Sequence, residues 1–346
     1  MAVTIKQIAE RAGLSVPTVS RILNNDSELF RAATRDKVLK AAKDLGYRPN
    51  SYRMALRTKR FNSIGLLYPT TAANSLLSYH TFYTLREELQ RRNQHLVAGQ
   101  ASHHIVKSEE ADVENGDGES HLPKMLREWS VDGLLIDSIH AAPVRVQELI
   151  SRTKIPAIWL NAKRPSDCVY ADEFTGAKRG TEILIGKGHS RISFIENGKH
   201  DPTGERHAGY AAAMKAAGLT PNFFGPSSIP TSERAVFFQQ WIEKFRGSAF
   251  PTAYFCDHSD LAASFYLAAM WSKLSVPKDL SILTFHDHLC DTLGFPMSAM
   301  RLPAAELALQ GLTALDEKIK KPEVEIAPRA LPITFEQGTT IGPPPK

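Results

Sequence analysis

The sequence predicts a small all-α N-terminal module followed by a larger α/β region, in which parallel, doubly wound sheets form two lobes. Apolar residues recur at helical spacing in residues 5–45, with a break at Gly13. From Ser63 onward, short apolar segments alternate with helical ones. Lysine and arginine number 13 against 5 acidic residues through residue 62, and 29 against 32 afterwards. The basic charge therefore lies in the small module, where a nucleic-acid partner would need it.

The stretch from Thr4 to Asn24 predicts two short helices joined by a tight turn. Their apolar positions are Ile5, Ile8, Ala9, Ala12, Val19, Ile22 and Leu23. Gly13 ends the first helix because glycine adopts positive φ at little cost. Ser15 can cap the second helix, and Pro17 fits its first turn. This pattern indicates a helix-turn-helix, whose second helix can present its N-terminal side chains to the major groove. An ordinary helical hairpin is the alternative, and the local basic charge disfavours it.

A third helix is predicted over residues 29–45, ended by Gly46, with Tyr47 packing back on the module. Its expected inward face consists of Val38, Leu39, Ala42 and Leu45. The segment from Ser51 to Arg60 is too basic to be buried in a protein core. From the residues alone, it is a solvated linker or a short helix that Asn50 can cap.

The remainder of the chain predicts two doubly wound sheets, because its strands are too numerous for one Rossmann-sized sheet. The predicted strands are 63–68, 95–100, 132–137, 155–161, 191–196, 252–256, 281–287 and 331–336. The predicted helices are 76–91, 121–129, 143–151, 172–187, 204–219, 233–246, 261–274 and 303–320. Ligands of such folds bind beyond the carboxyl ends of the strands, so a cleft between two lobes is expected.

Several classes of protein are disfavoured by composition. Cys168, Cys256 and Cys290 are odd in number and widely spaced, which argues against a disulfide framework and favours a reducing cytoplasm. No signal-peptide core or membrane-spanning apolar run is expected, and no repeat of 20–50 residues is visible. An enzyme is disfavoured, because neither a nucleophile elbow nor a glycine-rich phosphate loop follows a strand.

Two N-terminal motifs, TIKQIAERAGLSVPTVSRILN and TRDKVLKAAKDLGYRPN, resemble the DNA-binding head of the LacI/GalR family of bacterial transcriptional regulators. DEFTGAKRGTEILIGKGHSRISFI, ERHAGYAAAMKAAGL and LPITFEQGTT resemble its effector domain, which has the periplasmic-binding-protein fold. The resemblance implies a head at 1–49, a hinge helix at 50–60 and an effector and dimerisation domain at 61–340. It places the lobe crossings near 161, 291 and 321. The N-lobe then comprises about 61–161 and 292–320, and the C-lobe about 162–291 and 321–340.

The resemblance also implies the DNA-contacting residues. In the head these are Thr4, Ser15, Val16, Pro17, Thr18, Ser20, Arg21, Asn24, Thr34 and Asn50. Leu56 stands where the family's hinge helix inserts a leucine between base steps of the minor groove. Arg53 departs from the alanine usual in that helix, and it can either follow the phosphates or weaken insertion.

Ten effector-binding candidates follow from the resemblance and from the strand ends. They are Pro69, Thr70, Thr71, Asp137, Ser138, Asn161, Asp172, Arg206, His258 and His286. His258 and Ser259 are aligned with the family's asparagine and aspartate, and His286 with another aspartate. These departures disfavour a standard neutral hexose and favour an anionic or modified effector, or none. A zinc site among Cys256, His258, His286, His288 and Cys290 is a lesser alternative, because alternate strand residues point to opposite faces.

The predicted function is therefore that of a cytoplasmic, nucleoid-associated transcriptional regulator that needs no cofactor. A homodimer would bind palindromic double-stranded operator DNA as a repressor, with affinity modulated by a small molecule, a sugar or sugar derivative, between its lobes. A non-sugar effector, anionic or metallic, or none at all, is the alternative. A sugar-binding transport protein of the same fold is rejected, because it would lack the basic head.

Overall fold

The computed structural model describes residues 3–23, 29–47, 60–69, 78–101, 131–137, 150, 152–196, 204–226, 229–247, 250–287 and 294–345. The chain divides into two compact units, Met1–Phe61 and Asn62–Lys346. No helix among the described residues is both long and apolar enough to cross a membrane. The predicted hinge, apart from Arg60, and the predicted helix 121–129 lie outside the described residues.

The first unit contains the predicted helices α1 (Ile5–Ala12), α2 (Val16–Leu23) and α3 (Ala32–Asp44). Thr4 and Gln7 form a capping box at the start of α1. Gly13, with φ 62°, ends α1 in the left-handed conformation and allows the turn into α2. The helices share one apolar core, which contains Ile8, Ala12, Val19, Ile22, Val38 and Ala42.

One residue predicted to face inward on α3 points outward instead. Leu39 is 54% exposed, whereas Ala41 is buried beside Val38 and Ala42. Positions three and four residues apart share a helix face, so Ala41 and Ala42 follow Val38 into the core. Leu39 is rotated away from that face by one residue step.

The second unit contains two six-stranded sheets. The strands in chain order are β1 (Ser63–Pro69), β2 (His95–Ala101), β3 (Gly133–Asp137), β4 (Ala157–Leu160), β5 (Cys168–Ala171), β6 (Ile192–Ile195), β7 (Asn222–Phe224), β8 (Ala253–Cys256), β9 (Ser281–His286), β10 (Ala299–Arg301), β11 (Arg329–Leu331) and β12 (Thr334–Glu336). The first sheet has the order β2-β1-β3-β4-β5-β11, and the second β7-β6-β8-β9-β10-β12. The structure confirms the predicted parallel, doubly wound sheets, with one antiparallel pair, β10 with β12, at the edge of the second sheet.

The helices of the second unit pack on the faces of these sheets. They are α4 (Tyr79–Arg91), α5 (Glu173–Gly186), α6 (Glu205–Ala216), α7 (Arg234–Phe245), α8 (Ser259–Trp271) and α9 (Ala304–Lys320). Helices α4 and α9 share a core with the first sheet, through residues such as Leu85 and Leu312. Helices α5 and α6 cover one face of the second sheet, and α7 and α8 the other. Each lobe is thus a layered α/β structure around its own core.

The chain crosses between the lobes about ten residues later than predicted at each crossing. The short strands β5 and β11 belong to the first sheet, and β10 belongs to the second. The crossings therefore lie between Ala171 and Ile192, between Arg301 and Ala304, and between Leu331 and Thr334, rather than near 161, 291 and 321. Strands β5, β7, β10 and β11, of three or four residues each, were not predicted, because so few residues show no usable periodicity.

Candidate functional site

The start of α2 is the exposed part of the predicted recognition helix. Val16 is 45% exposed, Pro17 and Arg21 are also exposed, and Val19 and Ile22 face the core. The first turn contains no acidic residue, so nothing there opposes an approaching phosphate backbone. The helix therefore buries Val19 and Ile22 and leaves Val16, Pro17 and Arg21 exposed to solvent.

The hydroxyl groups of Ser15 and Thr18 lie at the N-terminus of α2, where Ser15 caps the helix. The Thr18 backbone N–H donates to Ser15 Oγ at 3.3 Å, and Ser15 Oγ lies 2.8 Å from Thr18 Oγ1. This geometry is the N-cap that the sequence predicts for Ser15. Both side chains thus have a local role in the helix cap besides their predicted contact with DNA.

The other predicted DNA contacts divide between described and undescribed positions. Thr4 is exposed, and its hydroxyl takes part in the capping box of α1. Ser20 and Thr34 are partly exposed on α2 and α3. Asn24, Asn50 and Leu56 lie outside the described residues, as does Arg53.

In the first lobe, Asp137 and Asn161 meet at the carboxyl ends of β3 and β4. Asn161 Nδ2 donates to Asp137 Oδ1 at 3.1 Å, and Asp137 is only 3% exposed. Burial raises the pKa of Asp137 to about 6, and the hydrogen bond from Asn161 opposes part of that rise. Both residues lie at the carboxyl ends of neighbouring strands, the region in which the sequence predicts effector contacts.

In the second lobe, the Arg206 guanidinium on α6 is held by two carboxylates. Nη2 donates to Glu173 Oε1 at 2.6 Å, and Nη1 donates to Asp257 Oδ1 at 3.1 Å and to the Asp257 carbonyl at 2.6 Å. The guanidinium carbon lies 4.4 Å from the centroid of the Phe285 ring. Burial disfavours the charged form, but both carboxylates outweigh it and raise the pKa of Arg206. Its Nε is buried without a hydrogen-bond partner among the described residues.

The two predicted histidines lie beside carboxylates that follow β8 and β9. His258 Nε2 is 3.4 Å from Asp257 Oδ2, and the side chain is 42% exposed. His286 is buried, and its Nδ1 accepts the Asp287 backbone N–H at 3.0 Å. That nitrogen also lies 3.1 Å from Asp287 Oδ1. His258 therefore adjoins the Arg206 group, whereas His286 adjoins Asp287.

Among the described residues, hydrogen bonds join side chains of the two lobes at Asp287 and at Glu205. Ser78, which caps α4 in the first lobe, donates its hydroxyl proton to Asp287 Oδ2 of the second. Lys163 Nζ, in the segment after β4, donates to Glu205 Oε1 on α6 at 2.7 Å. In each contact one partner follows the carboxyl end of a strand, namely Asp287 after β9 and Lys163 after β4.

The other predicted effector-binding residues have local structural roles or lie outside the described residues. Asp172 Oδ1 accepts the Thr175 backbone N–H at 3.0 Å, which makes Asp172 the N-cap of α5. Pro69 ends β1, whereas Thr70, Thr71 and Ser138 lie outside the described residues. His288 and Cys290, two members of the alternative zinc cluster, also lie outside them. No group of three or more potential ligands that could hold a metal occurs in the described part of the chain.

The sequence analysis missed three acidic residues that contact the predicted effector-binding residues or join the two lobes. Glu173 and Asp257 bind Arg206, and Asp287 bridges to Ser78. Each directly follows a residue that was singled out or a strand that was predicted. A search for carboxylates one residue beyond a strand end would have found Asp257 and Asp287. The pairing of Glu173 with Arg206 depends on how α5 packs against α6, and no local pattern reveals it.

A helix-turn-helix unit joined to a two-lobed parallel α/β unit defines a class of DNA-binding proteins with a ligand cleft. Residues 4–50 match the family model for bacterial regulatory proteins of the lacI family, and residues 181–341 match a periplasmic binding protein-like domain. The HTH-type transcriptional regulator RegA of Clostridium saccharobutylicum is 28% identical over 336 residues, which span 94% of this chain and 95% of that protein. The chain thus combines a lacI-family helix-turn-helix domain with a periplasmic binding protein-like domain, and it is a DNA-binding transcriptional regulator.

Two solved structures share the fold. The lac repressor dimer bound to operator and the anti-inducer ONPF has a TM-score of 0.77 at 20% identity, and the match covers 98% of this chain and 99% of that chain. A LacI family regulator from Enterococcus faecium with bound ribose has a TM-score of 0.63 at 20% identity and covers 81% of this chain and 99% of that chain. At this identity the likeness establishes the two-unit architecture.

Proposed function

We propose that this regulator is a homodimeric repressor whose affinity for a palindromic operator is modulated by a small polyol, a sugar or sugar derivative, bound between its lobes. The observation that supports the proposal is the combination in one chain of an exposed first turn of α2 with buried polar side chains near the carboxyl ends of two sheets. The protein then acts in the cytoplasm, on the nucleoid, where operator DNA is found.

The DNA part of the proposal rests on the head and the hinge. Two heads of a symmetric dimer bind half-sites about one helical turn apart, which sets an operator of roughly 14–20 base pairs. Leu56 would insert into the minor groove at the centre, with the Arg53 side chain following the phosphates. Thr4, Thr34, Asn24 and Asn50 would contact phosphates and so position the head.

The choice of a neutral polyol rests on the charge of the described cleft residues. Arg206 is matched by two carboxylates, Glu173 and Asp257, and Asp287 lies beside His286. An anion placed among these groups would meet more negative than positive charge. Hydroxyl groups, by contrast, can donate to carboxylates and accept from Asn161 or from Arg206 Nε. The ribose bound to the Enterococcus faecium regulator is a ligand of this chemical class.

The test begins with DNA and proceeds to the effector. Selection from a random DNA pool with the full chain should enrich a palindrome, and fluorescence anisotropy should then measure the affinity for it. Ribose is the first probe for a ligand that changes this affinity, followed by other neutral sugars, sugar phosphates and sugar acids. Failure of every neutral sugar, together with a response to an anionic one, would contradict the polyol assignment.

Calorimetry on cleft variants then tests the assigned residues. Arg206→Ala and His286→Asn should weaken binding of the identified effector, whereas Arg179→Ala, an exposed arginine on α5, should leave binding unchanged. Calorimetry at pH 6 and pH 8 adds a comparison of ligand classes: an anionic effector beside imidazole side chains would bind better at pH 6, and a neutral polyol would show no such gain. Wild-type affinity in both cleft variants would show that the effector binds elsewhere.

A further inference from the structure

The first turn of α2 presents an apolar surface where a recognition helix meets base edges. Val16 is 45% exposed and Pro17 is also exposed, although both side chains are hydrocarbon. The core contacts of the helix are made one turn further on, by Val19 and Ile22. The exposure of Val16 and Pro17 is therefore not required by the packing of the head, and it leaves both available to a partner.

The polar groups of this turn are engaged in the helix cap. The Ser15 hydroxyl accepts the Thr18 N–H at 3.3 Å and lies 2.8 Å from the Thr18 hydroxyl. Pro17 has no N–H to offer. The tip of α2 is accordingly poor in donors, so hydrogen bonds to bases or phosphates have few partners there.

Polar side chains return one turn later on the same side of the helix. Ser20 and Arg21 lie four residues after Val16 and Pro17, so each pair shares a helix face. Arg21 is exposed and carries the guanidinium that can bind a guanine edge. The exposed face of α2 is thus divided into an apolar first turn and a cationic second turn.

Only one base offers a hydrocarbon group in the major groove, namely thymine with its C5-methyl group. We propose that Val16 and Pro17 recognise a thymine methyl in each operator half-site, next to the base or phosphate contacted by Arg21. The inference rests on the proposed operator binding and specifies its chemistry. It predicts discrimination by contact with a methyl group rather than by a hydrogen bond.

Removal of single thymine methyl groups from the operator DNA tests this proposal. After an operator has been selected from a random pool with the full-length protein, each thymine is replaced in turn by deoxyuridine, which lacks only the methyl. Replacement at one or two positions in each half-site should weaken operator binding by about fourfold. This is the fold-change that corresponds to about 0.8 kcal/mol per buried methyl group. The wild-type protein is used throughout, so no folding defect can interfere.

Variants then connect the methyl group to the two side chains. Each variant, Val16→Ala or Pro17→Ala, loses contact with one thymine methyl group. At that base position, the variant should bind the thymine operator and the deoxyuridine operator with nearly equal affinity. Leu39→Ala removes an equally exposed apolar side chain on α3 and should retain the fourfold difference. Circular dichroism should show native helix content, because none of the three residues is buried.

The outcomes separate the inference from the proposed function. A selected operator whose deoxyuridine versions all bind within twofold of the thymine version would overturn methyl recognition while leaving operator binding intact. A thymine preference that persists undiminished in both Val16→Ala and Pro17→Ala would also overturn it. A pool that yields no enriched sequence would contradict specific operator binding, and the inference with it.

Discussion

At the scale of single residues, the pKa of Asp137 is strongly shifted by its surroundings. Its pKa rises from 3.8 to about 6 on burial, because the low-dielectric end of β3 disfavours the carboxylate. The folded state therefore binds the proton more tightly than the unfolded state does. The ionised carboxyl lowers the stability of the protein at neutral pH, and this cost is relieved as the pH falls from about 6 towards 3.8. A buried acid retained at such a cost is consistent with a role in ligand binding.

Replacing that acid by its neutral counterpart should stabilise the protein. Asp137→Asn should raise the free energy of unfolding at pH 7 by about 1–3 kcal/mol, an upper range set by the pKa shift, with a smaller gain near pH 4.5. Urea denaturation at both pH values measures this difference. Asp36→Asn, at an exposed site in the head, is the control. Equal stability of Asp137→Asn and wild type at pH 7 would show that the carboxyl is better solvated than its burial indicates.

A second prediction at residue scale concerns Arg21 on the exposed face of α2. Arg21→Ala should weaken binding to the selected operator by about 1–3 kcal/mol if the guanidinium contacts a guanine. Anisotropy with the operator and with random DNA distinguishes the two possible roles. An equal loss on both would identify Arg21 as a phosphate contact.

At the scale of secondary-structure elements, the close packing of α5 and α6 supports the proposed effector site. Gly209 on α6 is essential to it, because a Cβ there would lie 2.2 Å from the Phe174 carbonyl oxygen. The same two helices supply Glu173 and Arg206, whose side chains meet at 2.6 Å. The absence of a side chain at Gly209 thus allows the close helix packing that brings Glu173 and Arg206 together.

A methyl group at this contact should separate the helices. Gly209→Ala should lower the free energy of unfolding by about 1–3 kcal/mol, the usual cost of overpacking, and should weaken effector binding by displacing Arg206. Thermal unfolding and calorimetry measure the two effects. Gly186→Ala, where a Cβ would meet no atom within 4 Å, is the matched control and should leave effector binding unchanged without lowering stability. A Gly209→Ala protein with wild-type stability would imply that the two helices are less closely packed.

The hinge segment is the other element with a definite prediction, which rests on the sequence. Leu56→Ala should reduce operator bending and operator affinity, because a smaller side chain cannot hold open a base step. Effector binding should be unchanged. A fluorescence bending assay that finds equal bending by wild type and variant would rule out the wedge role.

At the scale of the whole molecule, His189 joins the C-terminal segment to the second lobe. Its Nδ1 lies 2.9 Å from Thr252 Oγ1, and its Nε2 lies 2.9 Å from the Gly342 carbonyl oxygen and 3.1 Å from Ser281 Oγ. Burial lowers the pKa of His189, and the nearby Lys187 adds to the effect, against the hydrogen bond to Gly342. A neutral imidazole therefore links residues far apart in the chain.

Protonation of His189 at low pH should weaken these hydrogen bonds. Because the folded pKa lies below the unfolded value of about 6.5, the contribution of His189 to stability is complete above pH 6.5 and is lost as the pH falls below it. His189→Gln should be less stable than wild type at pH 7.5 and less sensitive to a shift to pH 5. Denaturation at the two pH values tests this, with His95→Gln on β2 as an exposed control. An unchanged pH response in His189→Gln would assign the acid sensitivity to other groups.

Much of the element order could be predicted because it depends on local patterns. The spacing of Ile8 and Ala12, the glycine at position 13 and the cap at Ser15 are features of neighbouring residues, and the structure has all of them. The strands around Leu66 and Phe255 were predictable for a similar reason, since strands buried on both faces form continuous apolar runs.

The sequence by itself thus determined the helical head, the alternating α/β region and the strand-end position of Asp137, because each depends on periodicity or on adjacent residues. Only the tertiary structure decided that β5 and β11 join the first sheet and β10 the second, and that Glu173 and Asp257 bind Arg206. Strands of three or four residues form only through pairing with other strands, and several of those partners are distant in the chain. Contacts between such segments depend on how the sheets and helices pack, which no short window of sequence contains.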